Sequence, residues 1–315
     1  MPTVLGVDRV SKAFGERQVL SALSFAIERG EVYGLVGPNG AGKTTLINIA
    51  CLVVPPDAGA VTLNGRPVTA NAHARVGVAS QDVALYRDLT SEQNLEFFAA
   101  LYGLTGARRS RRVAVCLSDV GLEDRADTII SLLSGGMRRR LHIAVAMLHQ
   151  PDLLILDEPT VGLDLESRHR IWNVVRTVAD DGGTVLVTTH QLEEAEALCH
   201  RIGILHYGRL VAEGPMAELR RHVAAAELAI IDAEDLGAVR RRADELGLTH
   251  RPALAAVAVW LPERQSLDRV AALFSGIELR SVTLKPVGLE EVVAETTQAA
   301  RINRPTAQPP NRETA

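Results

Sequence analysis

The eight residues "GPNGAGKT", Gly37 to Thr44, carry the plainest chemistry in this sequence. They match the spacing G-x-x-x-x-G-K-[ST] between an apolar run, "EVYGLV", and a helix-prone one, "KTTLINIACLV", which is the strand-then-helix setting the pattern requires. Gly37, Gly40 and Gly42, with Pro38, Asn39 and Ala41 between them, let the backbone N–H groups wrap β- and γ-phosphate oxygens. Lys43 adds a point charge, Thr44 offers a hydroxyl to Mg²⁺, and Thr45 continues the helix start. Lys12, Lys43 and Lys285 are the only lysines, which leaves little room for a coincidental match. A second constellation, "LLILDEP", ends an apolar strand in two carboxylates. Asp157 suits a hydrated Mg²⁺ and Glu158 suits polarising a water for attack on phosphorus. A third, "SLLSGGMRRRL", exposes N–H groups at Ser134, Gly135 and Gly136 ahead of a helix, as though to read a second phosphate. The arginines after Met137 are out of place there, because cations are unfavourable at a helix N-terminus; nearby phosphates would offset them. Gln81 and His190, taken alone, read as an ordinary loop residue and an ordinary strand end.

These groups need elements to hold them. "TVLGVDRVSKAF", "SALSFAIERG" and "GAVTLNG" read as short β-prone runs, and "SEQNLEFFAALYGL" as a helix capped by Ser91. "DLLILDEPT" and "GGTVLVTTH" are continuous apolar runs, the mark of central parallel strands covered on both faces, with the helix "LESRHRIWNVVRTVAD" between them. A hairpin and a short helix close this part near residue 219. Beyond it come "AELAIID" as strand, "EDLGAVRRRADELG" as helix, "ALAAVAVWLPE" as strand, "SLDRVAALFSG" as helix, "IELRSVTLKP" as strand and "GLEEVVAETT" as helix. The expectation is an α/β domain over 1–219, with a helical subdomain at about 88–140, then an α+β domain over 220–297 and a disordered polar tail over 298–315.

A net charge of −4 does not point to nucleic acid, and the basic run "ARRSRR" reads as a solvated helix face. Cys51, Cys116 and Cys199 are scattered, which argues against a disulfide framework or a zinc site. The start, "MPTVLGVDRV", lacks the pattern of a signal peptide and no run has the length to cross a bilayer, so the expected location is cytoplasmic.

In this order the motifs resemble those of the ATP-binding subunits of ABC transporters: Walker A at 37–45, Gln81 of a Q-loop, the signature at 133–137, Walker B at 153–158, a D-loop at 162–168 and His190 of an H-loop. The resemblance covers about residues 3–218 and implies a P-loop NTPase fold of the ABC type, with an antiparallel β subdomain and a helical subdomain. It implies ATP and Mg²⁺ as cofactors, with Thr44, Asp157 and Gln81 toward the metal. Phe14 would stack on adenine, Gln81 would touch that Mg²⁺ or the lytic water and sense the membrane partner, Glu158 would be the catalytic base and His190 would meet the γ-phosphate. Ser134, Gly135 and Gly136 would close over ATP held by a second subunit, and Asp164 would signal between the two sites. That makes the expected partners a second ATPase subunit, in a homodimer, and a separate membrane permease that holds the chain at the inner face of the cell membrane. Met137 and Leu165 depart from the usual Gln and Pro, and both flank the phosphate contacts.

"QDVALYRDLTSEQNLEFFAALYGL" and the ending "LKPVGLEEVV" are most similar to the daunorubicin-resistance type, which implies export of a drug, antibiotic, lipid or polysaccharide. The alternative is an ABC-type ATPase outside transport. The DNA-repair class requires long coiled coils between Walker A and the signature, and the translation-factor class requires two Walker A loops; neither feature is present.

Overall fold

The computed structural model describes residues 2–68 and 74–302. Backbone contacts divide the chain into two compact units, Met1–Met216 and Ala217–Ala315.

In the first unit, an antiparallel sheet in the order β2-β1-β4-β5 is built from β1 (Thr3–Phe14), β2 (Arg17–Glu28), β4 (Ala58–Leu63) and β5 (Arg66–Pro67). A second, six-stranded sheet runs β10-β9-β3-β8-β7-β6. Its members are β3 (Val32–Val36), β6 (Val76–Ala79), β7 (Leu153–Asp157), β8 (Thr184–Thr189), β9 (Arg201–His206) and β10 (Arg209–Gly214). β3, β6, β7, β8 and β9 are parallel to their neighbours, and β10 closes the edge as an antiparallel hairpin with β9. Every residue of β3, β7 and β8 is buried, as expected of strands covered on both faces. β6 is short and precedes Gln81; its four residues carry too little pattern to be read from sequence.

The helices of this unit are α1 (Lys43–Ala50), α2 (Ser91–Leu101), α3 (Gly106–Asp119), α4 (Gly135–Met147), α5 (Leu165–Asp180) and α6 (Leu192–Leu198). α5 shows why such helices form: Asp164 caps its first turn, and Ile171, Trp172, Val174 and Val175 bury one stripe. The cap expected at Ser91 belongs to Thr90 instead. Thr90 Oγ1 accepts from Gln93 N at 3.2 Å and the Gln93 side chain accepts from Thr90 N at 3.0 Å, a reciprocal box open to Thr90 because of its spacing to Gln93.

α7 (Met216–Leu219) leads into the second unit, whose sheet runs β12-β13-β11-β14. These are β11 (Glu227–Ala233), β12 (His250–Ala253), β13 (Ala256–Leu261) and β14 (Leu279–Lys285), with α8 (Leu236–Glu245), α9 (Leu267–Leu273) and α10 (Leu289–Ile302). Two sequence expectations are corrected here. The run "ALAAVAVWLPE" is not one strand: Leu254, at φ 44°, turns the chain so that β12 and β13 form a hairpin. The tail expected from 298 begins as helix, since α10 continues the turns of its amphipathic start through Ile302; residues 303–315 lie outside those described. Ala229, Ile231, Val257, Val259 and Phe274 give this unit a hydrophobic core of its own.

Candidate functional site

β3 delivers its C-terminal end to the glycine loop, where Gly37 N donates to Thr189 O at the end of neighbouring β8. The loop is tight. A Cβ on Gly37 would stand 2.3 Å from Leu205 O, and Gly42 combines φ 113° with a would-be Cβ 2.6 Å from Leu20 Cδ2. Only glycine fits both positions. The loop borders a cavity of about 240 Å³ lined by Phe14, Arg17, Asn39, Gly40, Ala41, Gly42, Lys43, Thr44, Thr45, Gln81 and Glu158, among others.

Lys43 Nζ donates to Gly37 O at 2.6 Å and lies 3.4 Å from Pro38 O and 3.2 Å from Glu158 Oε1. Glu158 Oε2 lies 2.8 Å from His190 Nδ1 and accepts from His190 N at 3.3 Å. The Glu158 carboxylate thus bridges the phosphate-loop lysine and the histidine at the end of β8. Its backbone is in the left-handed region, φ 49°, a costly conformation for a residue with a side chain. Asp157, at the end of β7, accepts from Thr44 Oγ1 at 3.3 Å and from Thr188 Oγ1. Thr44 and Asp157 are hard oxygen donors, and among the described residues no group of three or more His, Cys, Asp or Glu could cage a metal. That set fits Mg²⁺, which keeps its waters and takes a few carboxylate or hydroxyl oxygens together with substrate phosphates.

Phe14 is half exposed at the mouth, with Lys12 Nζ 5.5 Å from its ring centroid. Asp57 fixes this edge by accepting from Lys12 Nζ and from Ala13 N, both at 2.6 Å. The Lys12 hydrogen bond, with help from Ala13, holds the Asp57 carboxyl below the usual carboxylate range. Gln81, exposed just past β6, reaches the same cavity.

The signature residues do not line it. Ser134 caps α4 by accepting from Met137 N at 3.2 Å, and a Cβ on Gly135 would meet nothing within 4 Å. A Cβ on Gly136 would lie 2.3 Å from Ser167 Oγ. Ser167 is held in turn by Asp164, which accepts from its N and its Oγ at 2.8 Å each; those hydrogen bonds keep the Asp164 carboxyl below its ordinary range. So Asp164 meets the signature of its own chain through Ser167, away from the Lys43 cavity.

The arginines after Met137 find carbonyls. Arg138 donates to Leu133 O, Arg140 to Val120 O and Gly121 O, and Arg139 to the backbone beside Glu158 and Gln81. No phosphate is needed to offset them. The only sequence signal for this was the oddity of three cations at a helix start. Arg17, which lines the cavity, carried no signal in the sequence.

A glycine cradle opening a helix, with a lysine and two strand-end carboxylates converging on it, defines a P-loop ATPase. Residues 20–161 match the ABC transporter family. The linearmycin resistance ATP-binding protein LnrL of Bacillus subtilis is 42% identical over 219 residues, 69% of this chain and 70% of that one. The daunorubicin resistance ATP-binding protein DrrA3 of Streptomyces coeruleorubidus is 38% identical over 304 residues, 94% of this chain and 96% of that one. Among solved structures, an ATP-binding subunit of an ABC transporter superposes with a TM-score of 0.63 at 33% identity, covering 69% of this chain and 92% of that one. A dimeric ATP-binding cassette in a post-hydrolysis state with ADP and Pi gives 0.60 at 28%, covering 67% and 98%. The chain belongs to the ATP-binding subunits of ABC transporters: it binds ATP and is the ATP-hydrolysing subunit of such a transporter.

Proposed function

We propose that two copies of this chain face each other head to tail and drive export through a separate membrane permease. The observation that carries the pairing is the placement of Ser134, Gly135 and Gly136 outside the cavity that holds Lys43. Their donors serve a phosphate only if a second subunit brings one.

In this reading Gly37 to Gly42 cradle the β- and γ-phosphates, Lys43 leaves Glu158 for phosphate oxygens, and Phe14 stacks on adenine. Thr44, Asp157 and Gln81 would hold Mg²⁺, which when bound neutralises charge on the β- and γ-phosphate oxygens. Glu158, released from Lys43, accepts the proton of the attacking water, and His190 orients that carboxylate and meets the γ-phosphate. Asp164, set against the signature through Ser167, reports closure from one site to the other. The relatives named for linearmycin and daunorubicin resistance, and one from Ralstonia nicotianae named for Nod factor export, support export of a drug, antibiotic, lipid or polysaccharide. Among the described residues no helix is long and apolar enough to cross a membrane, and in this reading the permease supplies the path. An exposed patch beyond Gln81 supports contact with it: Tyr86 and Phe97 meet edge to face at 4.7 Å, and Leu101 is exposed. Permease contact places the chain at the inner face of the membrane.

The test mixes Lys43→Ala subunits with Ser134→Arg subunits. Each heterodimer then has one doubly damaged site and one intact site. ATPase activity above that of either variant alone is expected. A mixture shown to contain heterodimers yet no more active than its parts would refute the shared site.

A further inference from the structure

The proposed function assigns the signature to the partner's ATP, Glu158 to the chain's own and the signal between subunits to Asp164, and leaves open how the signature reaches Glu158 within one chain. Arg139 lies on α4, five residues after Ser134, and is 5% exposed. A guanidinium carries five N–H donors in a rigid plane. Here they meet five backbone carbonyls. Nε donates to Pro159 O at 3.0 Å; Nη1 donates to Ser80 O and, at 3.0 Å, to Gln81 O; Nη2 donates to Asp157 O at 2.5 Å and Glu158 O at 3.0 Å.

Two features separate this from a generic buried anchor. All five acceptors belong to two short segments, 80–81 and 157–159, and those segments carry Gln81, Asp157 and Glu158. One of the acceptors is the carbonyl of Glu158 itself, whose left-handed backbone must be held by its surroundings. At the other end, the arginine is rooted in a helix whose first turn bears the signature, so a shift of that turn moves the guanidinium with it. With every donor engaged, Arg139 has none to spare for a phosphate.

We propose that Arg139 is a positioning residue that couples the two ATP sites: closure of the signature on the partner's ATP is passed through α4 and the guanidinium to the backbone of Glu158 and Gln81. The proposal rests on the head-to-tail reading above. It requires hydrolysis to be cooperative in ATP, and it requires the cooperativity to pass through this side chain. Lysine keeps the charge but brings three donors, so Arg139→Lys leaves two carbonyls unmet and loosens the tie without removing it.

Steady-state ATPase rates over a range of ATP concentration are measured for the full wild-type chain and for Arg139→Lys, with nucleotide affinity measured separately by equilibrium binding. The expected wild-type Hill coefficient exceeds 1, within the limit of two sites. For Arg139→Lys, affinity is nearly unchanged, kcat falls by about ten- to a hundredfold, the scale of a small misplacement of a reacting group, and the Hill coefficient drops toward 1. A wild-type Hill coefficient of 1, or a folded variant that keeps wild-type cooperativity, overturns the proposal, because a merely structural arginine would lower rate and stability without touching cooperativity.

A second measurement keeps Arg139 in place, so that a misfolded lysine variant decides nothing by itself. Lys43→Ala chains, whose own site is disabled, are paired with Glu158→Gln chains, whose bound ATP faces the signature of the first. Hydrogen exchange at the amides of Asp157 and Glu158 of the Lys43→Ala chain should slow when ATP is added. Unchanged exchange in a pair shown by light scattering to have formed overturns the coupling and leaves the head-to-tail reading standing. Failure of the pair to form overturns that reading, and the coupling with it.

Discussion

Lys43 and Glu158 form an ion pair, Nζ to Oε1 at 3.2 Å, with both side chains 6% exposed. The amine that should face a phosphate and the carboxylate that should face a water thus pair with each other in this structure. A buried pair is costly to break unless another partner replaces it, and under the proposed function a triphosphate is the new partner of Lys43.

Replacing Glu158 by Gln separates the two duties. Glu158→Gln should still bind ATP while turnover falls by about 10²–10⁴, the usual weight of general-base catalysis. Without a competing carboxylate for Lys43, ATP should raise the thermal midpoint of the variant more than that of the wild type. ATPase assays and thermal unfolding with and without ATP check both. Near-normal hydrolysis would remove Glu158 from the role of base.

Gly135 and Gly136 should respond differently to the same added methyl. At Gly135 nothing lies within 4 Å of a Cβ, so Gly135→Ala should fold as well as the wild type, yet lose ATPase activity if a partner's phosphate comes there. At Gly136 the methyl displaces Ser167, which Asp164 holds, so Gly136→Ala should lose both stability and activity. Thermal unfolding beside ATPase rates tests the contrast. Equal stability losses would contradict it.

His142 makes stability pH-dependent. Burial, reinforced by the charge of Arg139, pushes its imidazole down from the ordinary 6.5 to about 4, so the folded chain keeps it neutral. Once unfolded, it protonates near its ordinary value. The unfolded state therefore binds the extra proton between about pH 6.5 and pH 4, and stability falls with pH across that window, at most on the order of 1 kcal/mol per unit, while staying flat above it. His142→Phe should lessen the loss between pH 7 and pH 5. An identical pH profile for variant and wild type would exclude this histidine as a source.

Ending the chain after Met216, where the first compact unit ends, should leave ATP binding intact, since the cavity residues all precede that point. The second unit, with its own core, is proposed to serve assembly with the partner subunit or the permease. Export with the permease present should fall on truncation. Full export by the shortened chain would refute the assembly role, and loss of ATP binding would refute the division into domains.

What the sequence by itself determined was whatever depends on near neighbours along the chain. The spacing of Gly37 to Thr44 is a property of one loop, the apolar runs ending at Asp157 and His190 are properties of single strands, and the residues of α5 declare its span by cap and stripe. Single segments do not show which of them will meet. Gln81 reaches the cavity because β6 pairs with β7, although the two are far apart in sequence. Glu158 sits between Lys43 and His190 because three parallel strands bring their ends together. Arg139, one of three arginines at a helix start, acquires its meaning only when two distant segments turn five carbonyls toward it. Hydrogen-bond partners of that kind are chosen by packing, which no local pattern encodes.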